Sequence, residues 1–195
     1  MLASLLESVA STMNGPVCDT VDPLPSFDAN RYMGTWYEIQ HSKGAHFSPV
    51  EDFQCTEAVY SNLDADAGTF DVYNSSEPIS GDSGRSGVNG TVSCAGTPNG
   101  QCIVNFYGPP PTVPNYLVLD TDYDNYSLVY SCDDIQYFWI LSRTPTMDQA
   151  MIDKLNAYAM EKLPNYDWSL AATDIQGDVC NYVASEQKPF ERNFE

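Results

Sequence analysis

Between Phe27 and Cys132 the sequence is cut by turn chemistry at short, even intervals, and this rhythm restricts the possible folds more than any other feature. Runs rich in Tyr, Val, Thr and Phe predict strands near 33–42, 55–62, 68–74, 87–94, 102–107, 115–120, 126–132 and 136–142. Their separators hold the residues that reversals need. Asn62-Leu63-Asp64-Ala65-Asp66-Ala67-Gly68 and Ala95-Gly96-Thr97-Pro98-Asn99-Gly100 are turn-rich, and the prolines from Pro109 to Pro114 have no N–H to give a central strand. Short antiparallel strands in succession make a sandwich or an up-and-down barrel, and a barrel removes the edges at which strands aggregate. The rhythm then changes. Met147, Met151, Leu155, Tyr158 and Lys162, flanked by Ile152, Ala159 and Leu163, recur with a helical period after Thr144-Pro145-Thr146, and Pro164 stops the run. This helix should pack outside the strands, and Trp168 to Ile175 reads as one more short strand. No repeat or linker divides the chain, so it reads as one domain.

Charge narrows the partners. Asp and Glu number 27 against 8 Lys and Arg, a net charge of −19, which excludes a nucleic-acid backbone or an anionic membrane surface as a partner. Almost all of the acidic groups are expected on the outer wall, loops and tails, because burying so many unpaired carboxylates is prohibitive. No apolar run is long enough to span a bilayer. Six cysteines, Cys18, Cys55, Cys94, Cys102, Cys132 and Cys180, form an even set without a CxxC pair, so disulfides are expected and a metal site is not. Sequons at Asn74, Asn89 and Asn125 suit a secreted protein and are its glycosylation candidates. At the N-terminus, no Lys or Arg precedes Arg31 and Glu7 interrupts the apolar run. Leu2, Leu5, Leu6, Val9 and Met13 recur at helical spacing, so residues 2–13 read either as an amphipathic helix or as a leftover signal region.

Three motifs point to a family. Asn30-Arg31-Tyr32-Met33-Gly34-Thr35-Trp36-Tyr37-Glu38-Ile39 holds a Gly-x-Trp segment, followed in order by Thr121-Asp122-Tyr123 and Leu141-Ser142-Arg143, with the helix just after the third. Together they resemble the signature of the lipocalins. The run from Leu119 to Cys132 is similar to the branch holding apolipoprotein D, the bilin-binding proteins and the crustacyanins. The resemblance implies an all-β fold: a single antiparallel up-and-down eight-stranded β-barrel, the lipocalin calyx, with one C-terminal α-helix packed outside. It divides the chain into an N-terminal extension (1–17), a lipocalin domain (18–182) and a C-terminal tail (183–195). Structural roles follow for Gly34, Trp36, Thr121, Asp122, Tyr123 and Arg143. Gly34 permits close backbone approach, Trp36 plugs the closed end, and Arg143 lies across the indole with its guanidinium on carbonyls of the N-terminal segment. The same resemblance implies disulfides Cys18–Cys132 and Cys55–Cys180, leaving Cys94–Cys102 across a turn-rich loop.

For the cavity, the resemblance turns Val129 and Ser131 inward, with Ile135, Tyr137 and Trp139 on the neighbouring strand. Tyr116 and Val118 come from the strand before Thr121, Phe70 and Val72 from the third strand, and Ala45, His46 and Phe47 from the mouth loop. The set is aromatic and apolar with a few polar tips, as an elongated hydrophobic ligand with polar ends requires, though each aromatic also suits ordinary core packing. His41 and His46 are placed in or near the mouth, either meeting a ligand oxygen or standing as solvated loop residues. Lys43 is the nearest cation, so ligands held mainly through carboxylates are disfavoured. A hydrophobic chromophore, carotenoid or biliverdin, is the expected cofactor. Fatty acids, sterols and retinoids are the colourless alternative, and a structural lipocalin forming homo- or hetero-oligomers is a second class. No enzyme is expected. There is no Gly-x-Ser-x-Gly elbow, Gly81-to-Gly87 lacks the strand-to-helix context of a phosphate loop, and every cysteine has a plausible partner.

Overall fold

The computed structural model describes residues 18–45, 52–81, 84–96, 99–132 and 135–182. The helix considered for residues 2–13, the tail 183–195, and His46 and Phe47 lie outside them. Eight strands, β1 (Gly34–Ser42), β2 (Phe53–Asp64), β3 (Thr69–Pro78), β4 (Ser86–Ser93), β5 (Gln101–Asn105), β6 (Tyr116–Thr121), β7 (Tyr126–Cys132) and β8 (Gln136–Ser142), each pair antiparallel with the next. β1 pairs with both β8 and β2, which closes the sheet into a barrel. Beyond β8 come the helix α2 (Gln149–Lys162), a single 3-10 turn (Trp168–Leu170) and a short strand β9 (Ala171–Thr173), so the final segment is less extended than its sequence suggests. β9 pairs with the second half of β1, setting Ala172 opposite His41.

One element escapes the sequence pattern. A four-residue helix α1 (Ala29–Tyr32) precedes β1, started by Asp28, whose carboxylate accepts the N–H groups of Asn30 and Arg31. It is too short to show a helical period.

Two apolar layers hold the molecule together. Inside the barrel, Trp36, Phe70, Val72, Val92, Val118, Val129 and Leu141 form one buried cluster. Outside it, Ile39, Leu128, Phe138 and Ile140 pack against Ile152, Leu155, Ala159 and Leu163 of α2 and its end. β7 and β8 are thus covered on both faces, which explains why Leu128-Val129-Tyr130 reads as a continuous apolar run rather than an alternation. Disulfides fasten the periphery: Cys18–Cys132 ties the N-terminal segment to the end of β7, Cys55–Cys180 ties β2 to the C-terminal segment, and Cys94–Cys102 joins β4 to β5. The first two enclose 114 and 125 residues of chain, loops whose closure removes about 4–5 kcal/mol of unfolded-state entropy each in the chain-entropy account.

Of the 27 acidic groups, five among the described residues are buried. Asp19, Glu38, Glu57, Glu77 and Asp174 are 7, 6, 1, 7 and 6% exposed, not solvent-facing. Each is buried beside polar partners that offset its desolvation in part: Arg85 serves Glu57 and Glu77, Asn165 serves Asp19, His41 stands beside Glu38, and Thr56 and Gln176 serve Asp174.

Candidate functional site

One end of the barrel is sealed. Trp36 is fully buried, and the Arg143 guanidinium carbon stands 3.7 Å from its ring centroid. Arg143 donates to the carbonyls of Tyr123, Thr35 and Arg31 at 2.9, 2.9 and 2.7 Å, drawing α1, β1 and the β6–β7 turn together. Gly34 makes the approach possible with a φ of +95°, in the left-handed region that side chains disfavour. Thr121 Oγ1 accepts the Tyr123 N–H, and the Asp122 carboxylate accepts those of Asp124, Asn125 and Tyr126, so the Thr-Asp-Tyr segment is a turn clamp.

The inner wall follows from strand parity. On β8, Phe138 and Ile140 face α2 and are fully buried, whereas Tyr137 and Trp139 face inward and keep accessible surface. The inner face of β8 is therefore less tightly covered at this level than the outer face, on which α2 packs. Cross-strand pairs put Val129 opposite Trp139 and Ser131 opposite Tyr137. Phe70, Val72, Tyr116, Val118, Val129 and Trp139 meet in one cluster. Ile135, 52% exposed in the β7–β8 loop, stands apart from it at the rim, and Ala45 lies in the turn that leaves β1.

His41 is not a mouth-loop residue. It sits within β1, 2% exposed, with Nδ1 2.8 Å from Glu38 Oε1. The cause is an irregularity at Ile39: Glu38 pairs with Leu141 and His41 with Trp139, both inward-facing, so two residues three apart share a face that strict alternation would deny them. No sequence signal marks this bulge. Parity also turns Asn74 inward, opposite Ala58 and two residues from Val72, an unsuitable place for a glycan, whereas Asn89 and Asn125 are exposed.

Asp174, just after β9, joins the same wall and accepts hydrogen bonds from Thr56 N at 2.8 Å and Gln176 Nε2 at 3.0 Å. Burial first, then the nearby Glu38 carboxylate, raise its pKa from 3.8 to about 6, against the lowering effect of Thr56 and His41. Because the folded value is the higher one, the contribution to stability is fully present below about 3.8 and is lost as pH rises through about 6. Asp174→Asn should therefore stabilise the protein near neutral pH by about 2–3 kcal/mol and flatten this part of the pH dependence. Denaturant unfolding above and below the window checks it, and an unchanged pH profile would refute the assignment.

Among the described residues no cluster of His, Cys, Asp or Glu has metal-binding geometry, and no helix is long and apolar enough to cross a membrane. Residues that the sequence reading missed are Tyr32, Tyr60 and Ser127, whose hydroxyls join Tyr116 inside the barrel. Ser127 shares the parity of Val129 and Ser131, a signal that was available. Tyr32 and Tyr60 come from α1 and β2, away from the strands whose parity the motifs anchor.

Residues 27–172 match the family model described as a lipocalin-like domain. Apolipoprotein D of Cavia porcellus is 32% identical over 165 residues, covering 80% of this chain and 82% of that protein. Insecticyanin from the tobacco hornworm Manduca sexta has a similar structure, with a TM-score of 0.67 and 21% identity over 85% of this chain and 89% of its own. Lobster apocrustacyanin A1 gives 0.60 and 21% over 78% and 82%. At these identities the two structures speak for the fold alone. The family match runs from the approach to α1 into β9, the same stretch that closes the barrel and seals one of its ends, and the chain belongs to the lipocalin family.

Proposed function

We propose that the protein is a secreted, non-enzymatic carrier that sequesters a small hydrophobic ligand in its barrel, and that this ligand is a pigment, either a carotenoid or a biliverdin-type bilin. The observation that carries the reading is the inverted burial on β8, where inward Tyr137 and Trp139 keep surface that outward Phe138 and Ile140 do not. An aromatic wall of this kind suits a flat, extended, conjugated molecule. Cations are scarce near the mouth: Lys43 Nζ is directed to the Ser169 carbonyl at 3.3 Å. That weighs against ligands held by carboxylates. Three disulfides and the exposed sequons Asn89 and Asn125 support an extracellular setting.

The test is the absorption spectrum of protein purified from its native source, with mass analysis of its organic extract. A visible band and an extracted carotenoid or bilin are expected. A colourless protein that reconstitutes only with fatty acid, sterol or retinoid would replace the pigment with a colourless lipid. A protein that binds none of these but forms homo- or hetero-oligomers would have a structural role instead.

A further inference from the structure

We propose that the Tyr116 hydroxyl anchors a neutral oxygen at the buried end of the ligand, a hydroxyl or a ketone, through a reversible chain of hydroxyl groups. The inference rests on the carrier reading and specifies which end-group chemistry the lumen selects. Tyr60 Oη donates to Tyr116 Oη at 3.0 Å, Tyr116 Oη lies 2.8 Å from Tyr32 Oη, and Tyr32 Oη lies 2.8 Å from Ser127 Oγ. Tyr32, Tyr60 and Ser127 are 0, 5 and 0% exposed; Tyr116 is half-buried and is the one member of the four that retains appreciable surface. The chain thus runs from the closed end, where Tyr32 packs on Trp36, to Tyr116, the least buried residue of the four.

Its protons can point either way. At the Tyr32–Tyr116 and Tyr32–Ser127 contacts either oxygen can be the donor. In one direction Tyr116 donates to Tyr32 and Tyr32 to Ser127, which leaves lone pairs on Tyr116 and Tyr60 to accept from a ligand hydroxyl. In the other, Ser127 donates to Tyr32 and both Tyr32 and Tyr60 donate to Tyr116, which frees the Tyr116 proton for a ketone. A hydrocarbon end would bury the Tyr116 oxygen with its remaining hydrogen-bonding capacity unmet, which is unfavourable. A carboxylate fares no better. Burial, outweighing the Ser127 and Tyr116 hydrogen bonds, pushes Tyr32 up to about 12, so the phenols stay neutral, and the nearby Arg143 directs its guanidinium to three backbone carbonyls.

Three polyenes of one length test this: β-carotene, its dihydroxy form zeaxanthin and its diketo form canthaxanthin, titrated into full-length protein with tryptophan quenching as readout. The two oxygenated forms should bind about tenfold more tightly than β-carotene. Tyr116→Phe should bring all three within about threefold of each other, with β-carotene binding more tightly than to the native protein because no hydroxyl is left to be covered. Ser127→Ala removes the acceptor that holds the chain in its inward direction, so canthaxanthin binding should persist or tighten. Equal binding of all three by the native protein, or a preference that survives Tyr116→Phe, overturns the anchor and leaves the carrier reading intact. Failure of all three to bind overturns the carotenoid reading and the anchor together.

Discussion

Trp36→Ala is expected to lower the free energy of unfolding by about 4–5 kcal/mol, about a quarter or more of what a domain of this kind usually possesses. Trp36 has no exposed surface, and its removal leaves a cavity that the surrounding strands cannot collapse to fill, because Gly34 and Arg143 are already in close contact beside it. Specific contacts are lost as well. The indole N–H donates to the Tyr32 carbonyl at 2.9 Å, the Tyr32 ring lies 5.0 Å away, and the Arg143 guanidinium is stacked at 3.7 Å. Arg143→Ala should cost less, about 2–3 kcal/mol, since it removes three hydrogen bonds to partly accessible carbonyls and opens no comparable void. A double-mutant cycle should show the two losses overlapping by about 1 kcal/mol, the share of the stacked cation and ring. Equilibrium unfolding in guanidinium chloride measures all of this. A Trp36→Ala protein within about 1 kcal/mol of the native one would mean that the closed end is not a packed plug.

The sequence revealed the barrel because strand chemistry is local. Turn residues between Asn62 and Gly68 or between Ala95 and Gly100 act on their own neighbours, and the alternation of Tyr137, Trp139 and Leu141 with Phe138 and Ile140 is written in consecutive positions. What stayed hidden depends on distant partners or on a slip in register. His41 changes face because one extra residue in β1 opposes β8, and nothing in Glu38-Ile39-Gln40-His41 announces it. Buried carboxylates were unreadable for a related reason. Glu57 looks like a surface residue until Arg85, arriving from the β3–β4 connection, is brought within 3.6 Å of it. The candidate site shows the same division. Inward residues of β6, β7 and β8 could be placed by parity from the motifs that flank them, whereas Tyr32 and Tyr60 enter the lumen from α1 and β2 and become one group with Tyr116 only when the sheet closes.

Arg85→Met is the second large effect expected, a loss of about 3–5 kcal/mol, and it is the clearest test of how a chain with net charge −19 uses one of its 8 cations. The Arg85 side chain is 9% exposed and lies 3.6 Å from Glu57 and 3.2 Å from Glu77, themselves buried on the outer face of the barrel. It also donates to the Cys55 carbonyl at 2.9 Å, to Ser75 Oγ at 3.0 Å and to the Asn181 carbonyl at 2.8 Å, while the Tyr182 ring covers it. Methionine matches much of the volume but supplies neither charge nor donors, so the two carboxylates would be left in a low-dielectric site with mutual repulsion. Lysine should rescue only part of the loss, because a single ammonium cannot reach carboxylates, hydroxyl and two carbonyls at once. Adding Glu57→Gln to Arg85→Met should recover about half of the deficit, since it removes the more deeply buried of the two charges. If the second substitution recovers nothing, the cost of Arg85→Met lies in lost packing and not in uncompensated charge. A separate readout follows from position. Arg85 and Glu77 both bond Asn181, next to Cys180, so loosening this contact should expose the Cys55–Cys180 bridge and speed its reduction by dithiothreitol, while Cys94–Cys102 at the other end of β4 reacts as before.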